Sequence, residues 1–267
     1  MSRGKATLPK NNQMKLDCWG RSTYLEDYKK NQVINWLPMD TEELYQKHLT
    51  KTNSKKLLEK FGWIDYDITY SFNEHGYRSD SFEHNCQILF NGCSQTVGIG
   101  LPLDAMWSKQ VADHFNVPHH NIATGGSDWQ YATQRTTMWV PKLKPSILVI
   151  KEPPAGRLNW WIDERKVVSS SDFNHPESVS MMKHHINLIA DETNQEWYRY
   201  SMMELTKKIC YDNNCDLIII PSGRLTEDSL PTGKQDLARD LAHHGRIEQD
   251  YIKEVVIKKI SEYNYGI

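Results

Sequence analysis

The 267-residue chain reads as an α/β protein, a parallel sheet with helices on both faces. Three observations predict this. The apolar runs Ile88-Leu89-Phe90, Ile147-Leu148-Val149-Ile150 and Leu217-Ile218-Ile219-Ile220 are short and continuous, the pattern of strands buried on both faces. Each run stops at a cluster of glycine, proline or serine. Segments of helical periodicity stand between the runs, and strands alternating with helices make parallel sheets.

Taken in order, residues 1–60 are an N-terminal extension and 61–267 the α/β domain. In the extension, Thr41 is placed to cap a helix opening with Glu42-Glu43, and Leu57-Leu58-Glu59-Lys60 closes a second helix. No chemistry is visible there, which suits a packing arm or an oligomer contact. Residues 63–82 alternate (Ile64, Tyr66, Ile68, Tyr70) as a strand does, and end in a charged turn where Arg78 and Asp80 are placed to pair. The strand 88–91 then breaks into Gly92-Cys93-Ser94-Gln95-Thr96, followed by a helical pattern over 103–115. A short strand near 120–123 ends in Thr124-Gly125-Gly126-Ser127-Asp128, and a helix runs from Trp129 to about Trp139. After the strand 147–150, residues 157–185 interrupt the repeat as an insertion, with a hairpin at 158–168 and a Ser/Asn/Pro loop. A long helix over about 186–210 leads to the strand 216–220. A polar loop and an amphipathic helix (Ile247, Tyr251, Val255, Ile257, Ile260) close the chain.

Composition excludes several classes. Hydrophobic residues are 39% and charged residues 25%, with a formal net charge of -2. That balance leaves no electrostatic footprint for nucleic acid or an anionic membrane surface. No apolar run approaches the ~20 residues of a membrane span, and the polar N-terminus lacks an apolar signal core. Five cysteines without a CxxC spacing read as reduced thiols made in a reducing cytoplasm. His119-His120 and His184-His185 are adjacent pairs, a poor geometry for one metal ion, and neither dinucleotide nor P-loop glycine motif is present. No metal or organic cofactor is implied.

Strand, tight turn and helix place Ser94 at the carboxyl end of a parallel strand, where open α/β sheets put their ligands. A serine nucleophile needs a base, and the base an orienting carboxylate. Asp240 and His243 offer both, three residues apart, in the loop after the last strand and so at the same end of the sheet. Cys93 is the rival nucleophile and His244 the rival base. An oxyanion needs aimed donors; the Ser94 N–H is one, and Gly126 lacks a side chain to block approach.

Gly92-Cys93-Ser94, Asn121-x-x-x-Gly125-Gly126 and Asp240-x-x-His243, in this order and spacing, resemble the blocks of the SGNH (GDSL-type) hydrolase superfamily over roughly residues 85–255. The resemblance implies a three-layer α/β/α domain with a flavodoxin-like parallel sheet and a serine esterase or acyl hydrolase. Ser94 would be the nucleophile, His243 the base, Asp240 its orienter, and Ser94 and Gly126 oxyanion donors. Two departures stand out. Cys93 replaces the aspartate of the first block, and the third block's Gly-x-Asn-Asp is absent, with Ala155 about where the asparagine belongs. Losing one oxyanion donor typically costs roughly 100- to 1,000-fold in turnover, and Arg157 and Asn159 are the candidates to replace it. Trp160-Trp161 in the insertion suits a sugar-binding surface, so the expected substrate is a small ester or an acylated carbohydrate such as an O-acetylated glycan. The alternative is a catalytically weak or inactive binding or structural module on the same fold, such as a virion or surface-assembly subunit, assembled through the N-terminal extension.

Overall fold

The computed structural model describes residues 29–154, 157, 159–163, 166–169, 191–222 and 236–263. Four parallel strands form the main sheet: β3 (Ile88–Asn91), β4 (His119–Asn121), β5 (Ile147–Lys151) and β8 (Asp216–Ile220), in the order β4-β3-β5-β8. Phe90 lies opposite both Asn121 and Val149, and Ile150 opposite Ile219. The central strands β3 and β5 are buried at every position, whereas Asp216 at the start of edge strand β8 is exposed. This is why the first two read as unbroken apolar runs. A two-residue antiparallel pair joins β1 (Val33–Ile34) to β2 (Tyr70–Ser71), and β6 (Asn159–Asp163) pairs antiparallel with β7 (Lys166–Ser169) as the expected hairpin.

Seven helices accompany these strands among the described residues: α1 (Glu42–Thr50), α2 (Thr52–Phe61), α3 (Ser94–Val97), α4 (Trp107–Phe115), α5 (Trp129–Leu143), α6 (Glu192–Asp212) and α7 (Arg246–Tyr263). Side chains alternate across a strand, so the sheet divides its core between two layers. Ile88, Phe90, Ile147, Val149 and Ile218 face Trp107 and Val111 of α4 and Ile252, Val256 and Ile260 of α7. Leu89, Leu148 and Ile150 face Trp129, Trp139 and Val140 of α5 and Cys210 of α6. The domain is thus a three-layer α/β/α sandwich with a parallel sheet. Side-chain caps fix three helix starts, with Thr41 accepting from Leu44 N, Asp128 from Tyr131 N and Asp191 from Asn194 N.

The chain leaves β3 for β4 on one side and returns to β5 on the other. The carboxyl end of β3 is therefore the point where strand order reverses, the crevice that binds ligands in open α/β sheets. Ser94 stands there.

Two local expectations differ from the structure. The alternating stretch 63–82 is mostly turns and irregular chain, with only Tyr70–Ser71 in a ladder; Trp63, Ile68 and Tyr70 are buried by packing rather than by sheet pairing. Arg78 is buried and donates to the carbonyls of Val97, Gly98 and Leu101 rather than pairing with Asp80. The described part of the N-terminal segment shares one core with the domain. Leu37, Leu58, Trp63, Ile68 and Tyr70 cluster with Val97, Ile99, Leu101 and Ala238.

Candidate active site

The turn that carries Ser94 is built by Asn91 and Gly92. Asn91 donates from Nδ2 to Ala132 O (2.8 Å) and Thr136 Oγ1 (3.1 Å) of α5, and its Oδ1 accepts from Gly92 N (2.8 Å). Gly92 has φ 150°, and an added Cβ would lie 2.5 Å from Thr96 Oγ1 and 2.8 Å from Lys151 O, so only glycine lets the chain turn here. Ser94 then opens the four-residue α3 and is buried. Asn121 binds β4 to this helix, donating from Nδ2 to Thr96 O (2.8 Å) while its Oδ1 accepts from Ala123 N (2.9 Å).

Asp240 and His243 sit in the loop before α7. The Asp240 carboxylate is fully buried; Oδ1 accepts from the N–H groups of Ala242 (3.1 Å) and His243 (3.0 Å), and Oδ2 pairs with His243 Nδ1. The D-x-x-H spacing therefore closes a turn in which the carboxylate holds both the backbone and the ring of its histidine. With Nδ1–H directed at the carboxylate, Nε2 carries the lone pair. This loop and the start of α7 lie against the Ser94 segment: Arg239 N donates to Gly100 O (3.0 Å), and Gln249 Nε2 of α7 donates to Gln95 O (3.3 Å).

Among the described residues no hydrogen bond joins Ser94 Oγ to His243 Nε2. Both residues lie on segments that the Arg239–Gly100 and Gln249–Gln95 hydrogen bonds hold together at this rim. In ligand-free sites such bonds are often long and tighten with substrate. His244, the rival base, pairs instead through Nδ1 with Glu248 Oε2 (2.6 Å) on the first turn of α7. Cys93, the rival nucleophile, is 3% exposed.

Gly126 has φ 77° in the turn that follows β4. Arg157 comes to the same turn, donating from Nη1 to Ser127 O (3.3 Å). Asn159, Trp160 and Trp161 lie in β6; their side chains, and Ala155, fall outside the described residues. Two groups at the end of β5 are engaged structurally. Lys151 is buried and donates from Nζ to Pro221 O (3.2 Å), and burial lowers its pKa against the opposing pull of Glu248 and Cys93. The buried Glu152 accepts from Trp129 Nε1 (3.1 Å), Arg199 Nε and Ser222 N (3.2 Å).

Sequence reasoning missed three buried charges around this rim: Asp40, Arg239 and Arg135. Arg135 left a readable signal, because it falls one turn from Tyr131 and from Trp139 on the apolar stripe of α5. Asp40 and Arg239, 199 residues apart, left none.

No family model and no curated protein matches the chain. Among solved structures it is similar to a psychrotrophic esterase, EstA, from Pseudoalteromonas sp. (16% identity, TM-score 0.34, covering 67% of this chain and 98% of that one). It is also similar to a family two carbohydrate esterase from Clostridium thermocellum (13% identity, TM-score 0.35, covering 66% of this chain and 63% of that one). A third is an acetyl xylan esterase (14% identity, TM-score 0.34, covering 65% and 99%). The chain's own strand order and layers, rather than likenesses this low, define its fold.

Proposed function

We propose that this protein is a serine ester hydrolase of SGNH type. The observation that carries the reading is the Asp240–His243 unit. A fully buried carboxylate fixes the imidazole through Nδ1, with Nε2 free of any hydrogen bond among the described residues, on the rim that also holds Ser94. This is the arrangement a general base needs.

In the proposed reaction His243 Nε2 removes the Ser94 proton as Oγ attacks the acyl carbonyl. The N–H groups of Ser94 and Gly126 receive the oxyanion, with Arg157 or Asn159 as supplementary donors. The imidazolium, stabilised by Asp240, protonates the leaving alcohol. Water activated by the same histidine then releases the acyl group and restores the serine. The substrate class we propose is an O-acylated carbohydrate, with Trp160 and Trp161 of β6 as the candidate sugar-binding residues.

The test is turnover of p-nitrophenyl acetate together with labelling by a serine-reactive fluorophosphonate. Wild type should turn over and label, and Ser94→Ala should do neither. If wild type does neither, the hydrolase reading fails and a binding module on this fold takes its place. For the substrate class, the double substitution of Trp160 and Trp161 by alanine should raise KM for acetylated oligosaccharides but not for p-nitrophenyl acetate. An equal effect on both would remove the sugar-binding role.

A further inference from the structure

The side chain hardest to explain as packing is Arg135. It is fully buried in α5, yet only one of its three nitrogens is bonded. Nη2 donates to Ser127 Oγ (2.6 Å), Gly92 O (3.3 Å) and Asn91 Oδ1 (3.4 Å). Nε and Nη1 are buried with no acceptor. No carboxylate pairs with it among the described residues; the guanidinium instead lies 4.2 Å from the centre of the Tyr131 ring. A cation–π contact of this kind recovers only part of what it costs to take a charge out of water. Methionine or leucine would fill the same stripe without that cost.

The position of the charge supplies a reason for it. Its bonds run to Gly92, two residues before Ser94, and to Ser127, the residue after Gly126. One guanidinium therefore joins the nucleophile turn to the turn of the oxyanion glycine, and among the described residues no carboxylate pairs with it. In this sequence the asparagine that would supply another oxyanion donor is missing. We propose that Arg135 is a positioning residue for the oxyanion site. It holds the Ser94 and Gly126 turns in register and directs its positive charge toward the negative charge that develops there, offsetting the missing donor. The inference rests on the hydrolase reading above and deepens it.

The experiment compares p-nitrophenyl acetate kinetics and thermal midpoints for wild type, Arg135→Met, Arg135→Lys and Ser127→Ala. Removing the charge with Arg135→Met should lower kcat about 10- to 100-fold, less than the loss of a direct donor, with KM nearly unchanged. Arg135→Lys restores the charge and should recover most of that loss, a rescue that packing alone does not predict. Ser127→Ala keeps the guanidinium and cuts its shortest bond to the Gly126 turn; kcat should fall roughly tenfold. A folded Arg135→Met protein with wild-type kcat, or equal losses in the lysine and methionine variants, would overturn the proposal. Should neither Arg135 variant fold, Ser127→Ala decides: a lowered kcat supports the role and an unchanged one overturns it. Wild-type turnover that Ser94→Ala abolishes and these variants leave intact would sink the Arg135 role alone. A wild type that neither turns over nor labels would sink both.

Discussion

Replacing Asp40 by asparagine would strike the contact that ties the N-terminal segment to the loop of Asp240 and His243. Asp40 is 1% exposed and Arg239 is 2% exposed. Arg239 meets the carboxylate with both prongs, Nε to Oδ1 at 3.0 Å and Nη2 to Oδ2 at 2.7 Å. The same Oδ2 accepts from Tyr70 OH at 2.5 Å, and that hydroxyl accepts from Gly100 N at 2.8 Å. Arg239 also donates to Asn35 O at 2.9 Å and stacks 4.0 Å from the Trp36 ring. Burial, and then the Asp40 charge, push the Tyr70 phenol above its ordinary pKa, so it remains a donor across the accessible pH range. Asparagine removes the charge and leaves Arg239 buried without a counterion. Breaking such a pair from one side costs about 3–5 kcal/mol. For a domain of this size that lowers the thermal midpoint by roughly 6–20 °C. Equilibrium urea unfolding followed by tryptophan fluorescence measures the loss. Turnover should fall as well, since Arg239 adjoins Asp240. Adding Arg239→Met should recover part of the stability, because an apolar pair of similar volume is often neutral or better than a buried ion pair. A single-variant cost below about 1 kcal/mol, the range of exposed pairs, would refute the clamp, as would a double variant no more stable than the single.

Gly92→Ala should destabilise by more than about 1 kcal/mol and abolish ester turnover, since the new Cβ meets Thr96 Oγ1 and Lys151 O at a positive φ; wild-type kinetics in that variant would contradict the turn geometry. His244→Ala should leave kcat within about twofold of wild type, as expected for a surface ion pair, because His244 is committed to Glu248; a large loss would make it the base in place of His243. Stability should depend on pH through His119 and His120, whose pKa values burial lowers below the ordinary 6.5. The unfolded chain then binds protons that the folded one refuses, so stability is full above pH 6.5 and falls as pH drops below it, by up to about 1.4 kcal/mol per pH unit for each histidine. Urea midpoints measured from pH 8 to 5 should show this slope, and His120→Gln should flatten it; an unchanged slope would exclude His120 as its source.

Local pattern determined much of this protein. The runs 88–90, 147–150 and 217–220 announced buried parallel strands because both faces of each are covered. Glycines and asparagines marked the turns after them, and the D-x-x-H spacing identified a carboxylate and imidazole on one tight turn, since three residues suffice to close that contact. Tertiary structure alone decided what depends on long-range meetings. Periodicity suggested a strand at 63–82, where packing against the rim outweighed sheet pairing. Nothing near Arg78 in sequence foretold that it would bind three carbonyls of the 97–101 segment. Asp40 and Arg239 meet only after the whole domain has closed. Arg135 shows the limit most clearly: its place on an apolar stripe was readable, but that no described carboxylate pairs with it was not. Desolvation and ion pairing depend on everything that packs around a charge, and neighbours along the chain supply only a small part of that surrounding.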